Sequence, residues 1–203
     1  MCGTMALILI GAVCQIICAL GGMIAGWQAG DMIYDAIYLP YKVTMGMMGF
    51  FMCFNLAYTY AKKKKQNPVQ SCFTALVCYM LVVAPPVSVV RAGVEGGSAF
   101  DALNLSALGS GGIFVAILIA FISVQITKFA VEHNWIIKLP DSVPEGIMGG
   151  FNATIPAGIN IIFWYGLSLI ISAVSGGTMT LNGLINTILA YPLAVLLNPV
   201  GIL

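Results

Sequence analysis

The sequence predicts an all-α integral membrane protein with about five transmembrane helices, supplemented by interfacial or re-entrant helical segments. Three observations predict it. Of 203 residues, 60% are hydrophobic and 7% are charged, whereas a soluble globular domain is about 25% charged. Mean hydropathy is +1.00. Apolar runs close to the roughly 20 residues that cross a bilayer core recur along the whole chain. With so few polar side chains to cover a water-facing surface, lipid must be the solvent for most of the exterior.

The first span is expected at residues 5–27. No basic residue precedes it, unlike a secretory leader, and the run outlasts a leader core, so it reads as a retained helix. Residues 28–40 carry Asp31, Asp35, Tyr34 and Tyr38 and read as an interfacial connector. The second span is expected at 43–61 and the third at 72–90, with Pro85-Pro86 kinking its far end. A glycine-rich loop follows at 91–110. The fourth span is expected at 111–131 and the fifth at 151–174. These make up a membrane domain over residues 1–174. Residues 175–203 start with a Ser-Gly-Gly-Thr turn and continue as an apolar stretch broken by Pro192 and Pro199. That stretch is compatible with a sixth helix, an interfacial helix or a re-entrant piece.

Orientation follows from where the basic residues fall, since cytoplasmic connectors are enriched in Lys and Arg. Lys62, Lys63, Lys64 and Lys65 place the second connector in the cytoplasm. Counting spans outward puts the N-terminus in the cytoplasm as well, with Lys128 and Lys138 on the same side and Lys42 and Arg91 outside. The lysine run needs no role beyond this topology signal and an attraction to anionic lipid.

Several smaller patterns bear on function. Gly22, Gly26 and Gly30 repeat every four residues, a spacing that gives a helix a flat face for a second helix or a second copy of the chain. The six cysteines form no C-x-x-C pair and mostly sit in apolar runs, so small packing residues are expected, with no disulfide framework and no metal site. The glycines around Ser110 lack the following Lys-Ser or Lys-Thr of a phosphate loop. His133, the only histidine, is open to a phosphoryl-acceptor or proton role but fits better as a cation near a helix C-terminus. No ionisable residue falls deep within a predicted span, whereas ion-coupled carriers usually bury one. The amides Asn152 and Asn160 could face a polar path. One histidine and scattered acids supply no nucleophile–base pair, so no catalytic residue is assigned and a self-contained enzyme is not expected. No cofactor is implied, and no basic domain suggests nucleic acid.

The connector between the fourth and fifth spans has the most internal pattern. Pro140 disfavours helix at Leu139, Asp141 and Ser142 are both N-cap types, and Pro144 suits the first turn of a following helix. The segment Lys138-Leu139-Pro140-Asp141-Ser142-Val143-Pro144, followed by Phe151 and Pro156, resembles the membrane subunit IIC of the bacterial phosphotransferase system, in its lactose/cellobiose/chitobiose branch. Residues 111–126 are similar to the helix that leads into that segment. The resemblance implies a sugar permease in the bacterial plasma membrane. A IIC subunit binds an external disaccharide and carries it inward, and a phosphorylated IIB partner phosphorylates it. It also implies a helical homodimer whose interface lies in the N-terminal half. The family's sugar-binding C-terminal half has no counterpart here, so the resemblance assigns no substrate-contacting residue. Glu145 stands where that family often has a second proline. The chain therefore reads as an N-terminal IIC half, truncated, split or separately encoded. A non-transporting dimerisation scaffold is the alternative.

Overall fold

A computed structural model describes residues 2–89, 100–135, 137, 145–177 and 179–188. Its helices are α1 (Cys2–Ala25), α2 (Met32–Val43), α3 (Met48–Lys63), α4 (Pro68–Val83), α5 (Ile113–Glu132) and α6 (Glu145–Val174). Two short strands, β1 (Val87–Val89) and β2 (Phe100–Ala102), pair antiparallel, with Ser88 opposite Asp101. Residues 181–188 are also helical.

Each expected span is a helix, with shifted ends that have local causes. α3 starts late because a 3-10 turn at Met45–Met47 precedes it. α4 starts early: Asn67 is extended and Pro68 takes the first helical position, where its missing N–H costs nothing. Pro85-Pro86 end α4 rather than kink it. Ala84 leaves the helical region at φ −139°, ψ 65°, and the residue before a proline resists helix. β1 takes the last residues of the span expected at 72–90, and β2 falls in the loop that read only as glycine-rich. α6 begins at Glu145, so Phe151 and Pro156 lie inside a 30-residue helix. Among the described residues, three helical stretches, Thr4–Ala25, Ser110–Glu132 and Gly149–Val174, are long and apolar enough to cross a membrane. α3 and α4 have 16 residues each.

The glycine repeat is corrected by the structure. α1 stops at Ala25, and Gly26 and Gly30 take φ of +68° and +107° in the turn beyond it. Such left-handed backbone suits glycine and ends a helix, so the three glycines do not form one helical face. The close approach on α1 occurs at Gly21, where Trp27 folds back so tightly that a Cβ would collide with its indole.

The core lies between α3, α4 and α5, with α3 packing more extensively on α4 and on α5 than any other pair of helices does. Its facing positions are small: Cys53, Ala57 and Ala61 on α3, Cys72, Ala75 and Cys78 on α4, and Ala116 and Ala120 on α5 are fully buried. Small residues let membrane helices approach closely without the water-driven force available to soluble proteins. Cys53 donates to the Ala75 carbonyl at 3.7 Å and Cys72 to the Phe54 carbonyl at 3.5 Å, which ties α3 to α4. These cysteines are free and serve as packing residues, as expected. At the far end from the lysines, Leu108 is fully buried beneath Tyr79, whose hydroxyl donates to the Leu108 carbonyl at 3.3 Å. α1 leaves Leu9, Ile10, Val13, Ile16 and Leu20 exposed, and α6 leaves Ile162, Leu169 and Ile170 exposed, the surface that a lipid environment requires.

Candidate functional site

A polar crevice opens at the lysine end of the bundle. Its wall arises because polar residues recur at helical spacing on faces that meet: Gln70 and Thr74 on α4, Ser123 and Thr127 on α5, and Asn152 and Asn160, either side of Pro156, on α6. The crevice encloses about 320 Å³ and is lined by Gln70, Ser71, Thr74, Thr127, Asn152 and Pro156, with Lys65 and Asn67 at its edge. Gly149 brings α6 to α4 here, since a Cβ at that position would lie 3.1 Å from Gln70 Nε2.

Hydrogen bonds fix the deeper wall. Asn160 is fully buried, and its Nδ2 donates to Thr127 Oγ1 at 3.1 Å and to the Pro156 carbonyl at 2.9 Å. Thr127 Oγ1 in turn donates to the Ser123 carbonyl at 2.9 Å. Trp164 Nε1 donates to Ser123 Oγ at 2.9 Å. At the rim, Gln66 Nε2 donates to the Val124 carbonyl and its Oε1 accepts from Ser71, each at 3.4 Å. The Oδ1 atoms of Asn152 and Asn160 are buried without a donor among the described residues. Pro156 also removes the amide proton that would otherwise bond the Asn152 carbonyl. The α6 side of the crevice therefore holds acceptors in need of donors, which is an arrangement suited to water or hydroxyl groups.

The crevice can bind, and among the described residues that line it Lys65 is the one ionisable group. The two amides expected on a polar path thus divide the work, Asn152 lining the crevice and Asn160 bracing its wall. Phe151 is exposed on α6 and Pro156 is buried. Lys138, Pro140, Asp141, Ser142, Val143 and Pro144 lie outside the described residues. Lys62 and Lys63 form the last turn of α3, and Lys64 sits 5.4 Å over the Tyr60 ring. His133 follows the last residue of α5 with Nδ1 2.9 Å from the Phe129 carbonyl and its ring against Phe129, a capping geometry. The Trp164–Ser123 bond and the Tyr79 contact were not read from the sequence. Trp164 and Ser123 are 41 positions apart, and only the packing of α5 on α6 joins them.

These features define a class: a helical membrane protein whose polar interior is built for neutral hydrogen bonding. A family model described as Phosphotransferase system, EIIC matches residues 1–202, and the chain belongs to that family. It is 29% identical over 173 residues to the lichenan permease IIC component of Bacillus subtilis (strain 168), covering 82% of this chain and 37% of that protein. It is 29% identical over 160 residues to the lactose-specific EIICB component of Streptococcus mutans serotype c, covering 74% of this chain and 26% of that one. Among solved structures it is similar to the transporter ChbC, the IIC component from the N,N'-diacetylchitobiose-specific phosphotransferase system. That match has a TM-score of 0.78 and 27% identity, and covers 95% of this chain and 45% of ChbC. The chain spans less than half the length of each of these proteins.

Proposed function

We propose that this chain is the N-terminal membrane half of a sugar permease of the phosphotransferase system, carrying a β-linked disaccharide of the cellobiose, lactose or chitobiose class across the bacterial plasma membrane. The family match over residues 1–202 carries the reading. The sugars in the names of its relatives set the substrate class, and the joined EIICB name supports a IIB partner that phosphorylates the sugar. A C-terminal IIC half supplies the main sugar site, and two copies of the chain pair in the membrane as a homodimer. The motif from Lys138 to Pro144 joins the two helices on the cytoplasmic side. The N-terminus lies in the cytoplasm. In support, Lys65 lines the same crevice as Thr127, so the lysine run and Lys128 share one end of the bundle. The crevice at that end gives a hydrated inner mouth whose amides and hydroxyls match sugar hydroxyls without trapping charge. The dimerisation-only alternative loses its support from glycine spacing, because Gly26 and Gly30 lie beyond α1.

The test is reconstitution. Vesicles containing this chain, a C-terminal IIC half and phosphorylated IIB should take up and phosphorylate labelled cellobiose, lactose or chitobiose. No uptake or phosphorylation of any of the three refutes the permease reading.

A further inference from the structure

A second cleft lies at the opposite end of the bundle. Tyr34, Tyr38 and Tyr41 recur at i, i+4 and i+7 on α2, so their rings fall in one row, 5.4 Å and 4.9 Å between centroids. Tyr38 and Tyr41 form one side of a cleft of about 480 Å³. The other side comes from a distant part of the chain, the turn carrying Asn104 and Ser106. That volume is in the range of small-molecule sites, roughly 300–1,000 Å³.

The chemistry of the lining is selective. Among the described residues that line it there is no carboxylate, and one cation, Lys42, is held 5.3 Å over the Tyr38 ring. Ser106 Oγ donates to Asn104 Oδ1 at 2.6 Å, which turns the amide so that its Nδ2 is left to donate elsewhere. Aromatic faces beside a fixed amide and hydroxyl suit a ligand with an apolar ring face and a hydroxylated edge. Interfacial anchoring explains tyrosines and a lysine on an amphipathic helix. It does not explain why a second segment closes against them with an amide oriented by its neighbour.

The geometry points to an outward-facing saccharide site: Tyr38 and Tyr41 stack on a neutral β-linked disaccharide while Asn104 and Ser106 hydrogen-bond its hydroxyls. This inference rests on the permease reading for its ligand class and its outward orientation. The site would collect sugar on the face opposite the lysines before transfer to the main site.

Equilibrium dialysis of the purified chain against labelled cellobiose, in a detergent without a sugar headgroup, tests it directly. Saturable binding is expected. Tyr41→Ala and Asn104→Ala should each weaken it at least tenfold, while Tyr58→Ala, an exposed tyrosine on α3 outside the cleft, should not. Tyr41 is half-buried and Asn104 exposed, so folding should survive both changes, and matched melting temperatures would verify that. No saturable binding, or binding that both alanine variants retain, overturns the proposal. So does an anchor-only outcome, in which the variants melt earlier in vesicles yet bind cellobiose as before. Uptake by the reconstituted permease separates the two readings. A wild type that transports nothing refutes the permease. A wild type that transports, with variants sharing its half-saturating outside concentration, refutes this site alone.

Discussion

Gly49→Ala is the sharpest test of how the end of the bundle away from the lysines is packed. A Cβ at Gly49 would lie 2.8 Å from the Leu108 carbonyl oxygen and 2.9 Å from that of Gly109, and would press on the Tyr79 hydroxyl. Both carbonyls belong to backbone wedged against the α3/α4 core, so about half an ångström of movement must be shared by buried elements. Overpacking of this kind costs about 1–3 kcal/mol. Displacing the Tyr79 hydroxyl from the Leu108 carbonyl adds about 0.6 kcal/mol by membrane-protein averages. A total of about 1.6–3.6 kcal/mol corresponds to a drop of roughly 3–14 °C in melting temperature for a chain of this size. Gly111→Ala is the control, because nothing lies within 4 Å of its Cβ position, and it should shift melting by no more than about 1–2 °C. Thermal unfolding in detergent, followed by fluorescence-detected size exclusion, reads both. Adding Tyr79→Phe to Gly49→Ala should recover part of the loss by removing one colliding atom. If Gly49→Ala melts with Gly111→Ala, the buried Leu108 wedge is wrong.

Trp164→Phe removes the donor to Ser123 and should cost about 0.6–1.7 kcal/mol in detergent unfolding. Ser123→Ala should cost more, about 1–3 kcal/mol, because it leaves the buried indole N–H without an acceptor. Asn152→Leu removes a buried acceptor that has no donor, so thermal stability should hold or rise while sugar uptake by the reconstituted permease falls. Equal uptake would separate the crevice from the transport route. Cys53, Cys72 and Cys78 are fully buried, so a maleimide should modify them only after unfolding in SDS, a difference that mass spectrometry resolves. Replacing Lys62 to Lys65 with glutamine should lower the fraction of chains with a cytoplasmic N-terminus, read by labelling a terminal tag in right-side-out vesicles.

Much of the fold was legible because lipid imposes long apolar runs, and those survive any tertiary detail. Helix ends were less legible. Pro68 and Pro85 acted as punctuation at α4, whereas a pure hydropathy reading slid that helix toward Pro85-Pro86. The glycine repeat misled for a related reason: a spacing of four is a helical feature only while the helix continues, and Gly26 itself ends α1. The crevice was half legible. Asn152 and Asn160 stood out as amides in an apolar run, but their partners Thr127 and Ser123 read as ordinary membrane residues until α5 and α6 were placed together. The cleft at the end away from the lysines was less visible still, since Tyr41 and Asn104 are joined only by the way the turn after β2 packs against α2.

The shortness of α3 and α4 has a consequence for the surrounding bilayer. Sixteen residues reach about 24 Å, while the 30 residues of α6 reach about 45 Å. A hydrocarbon layer about 30 Å thick matches neither length, and such mismatch is met by local thinning or by snorkelling beside a short helix pair and by tilt along a long helix. The lysines at the end of α3 would draw anionic headgroups down into that dip. The protein would thus carry a collar of deformed lipid on one flank, and its neighbours in the membrane would be sorted by thickness as well as by chemistry.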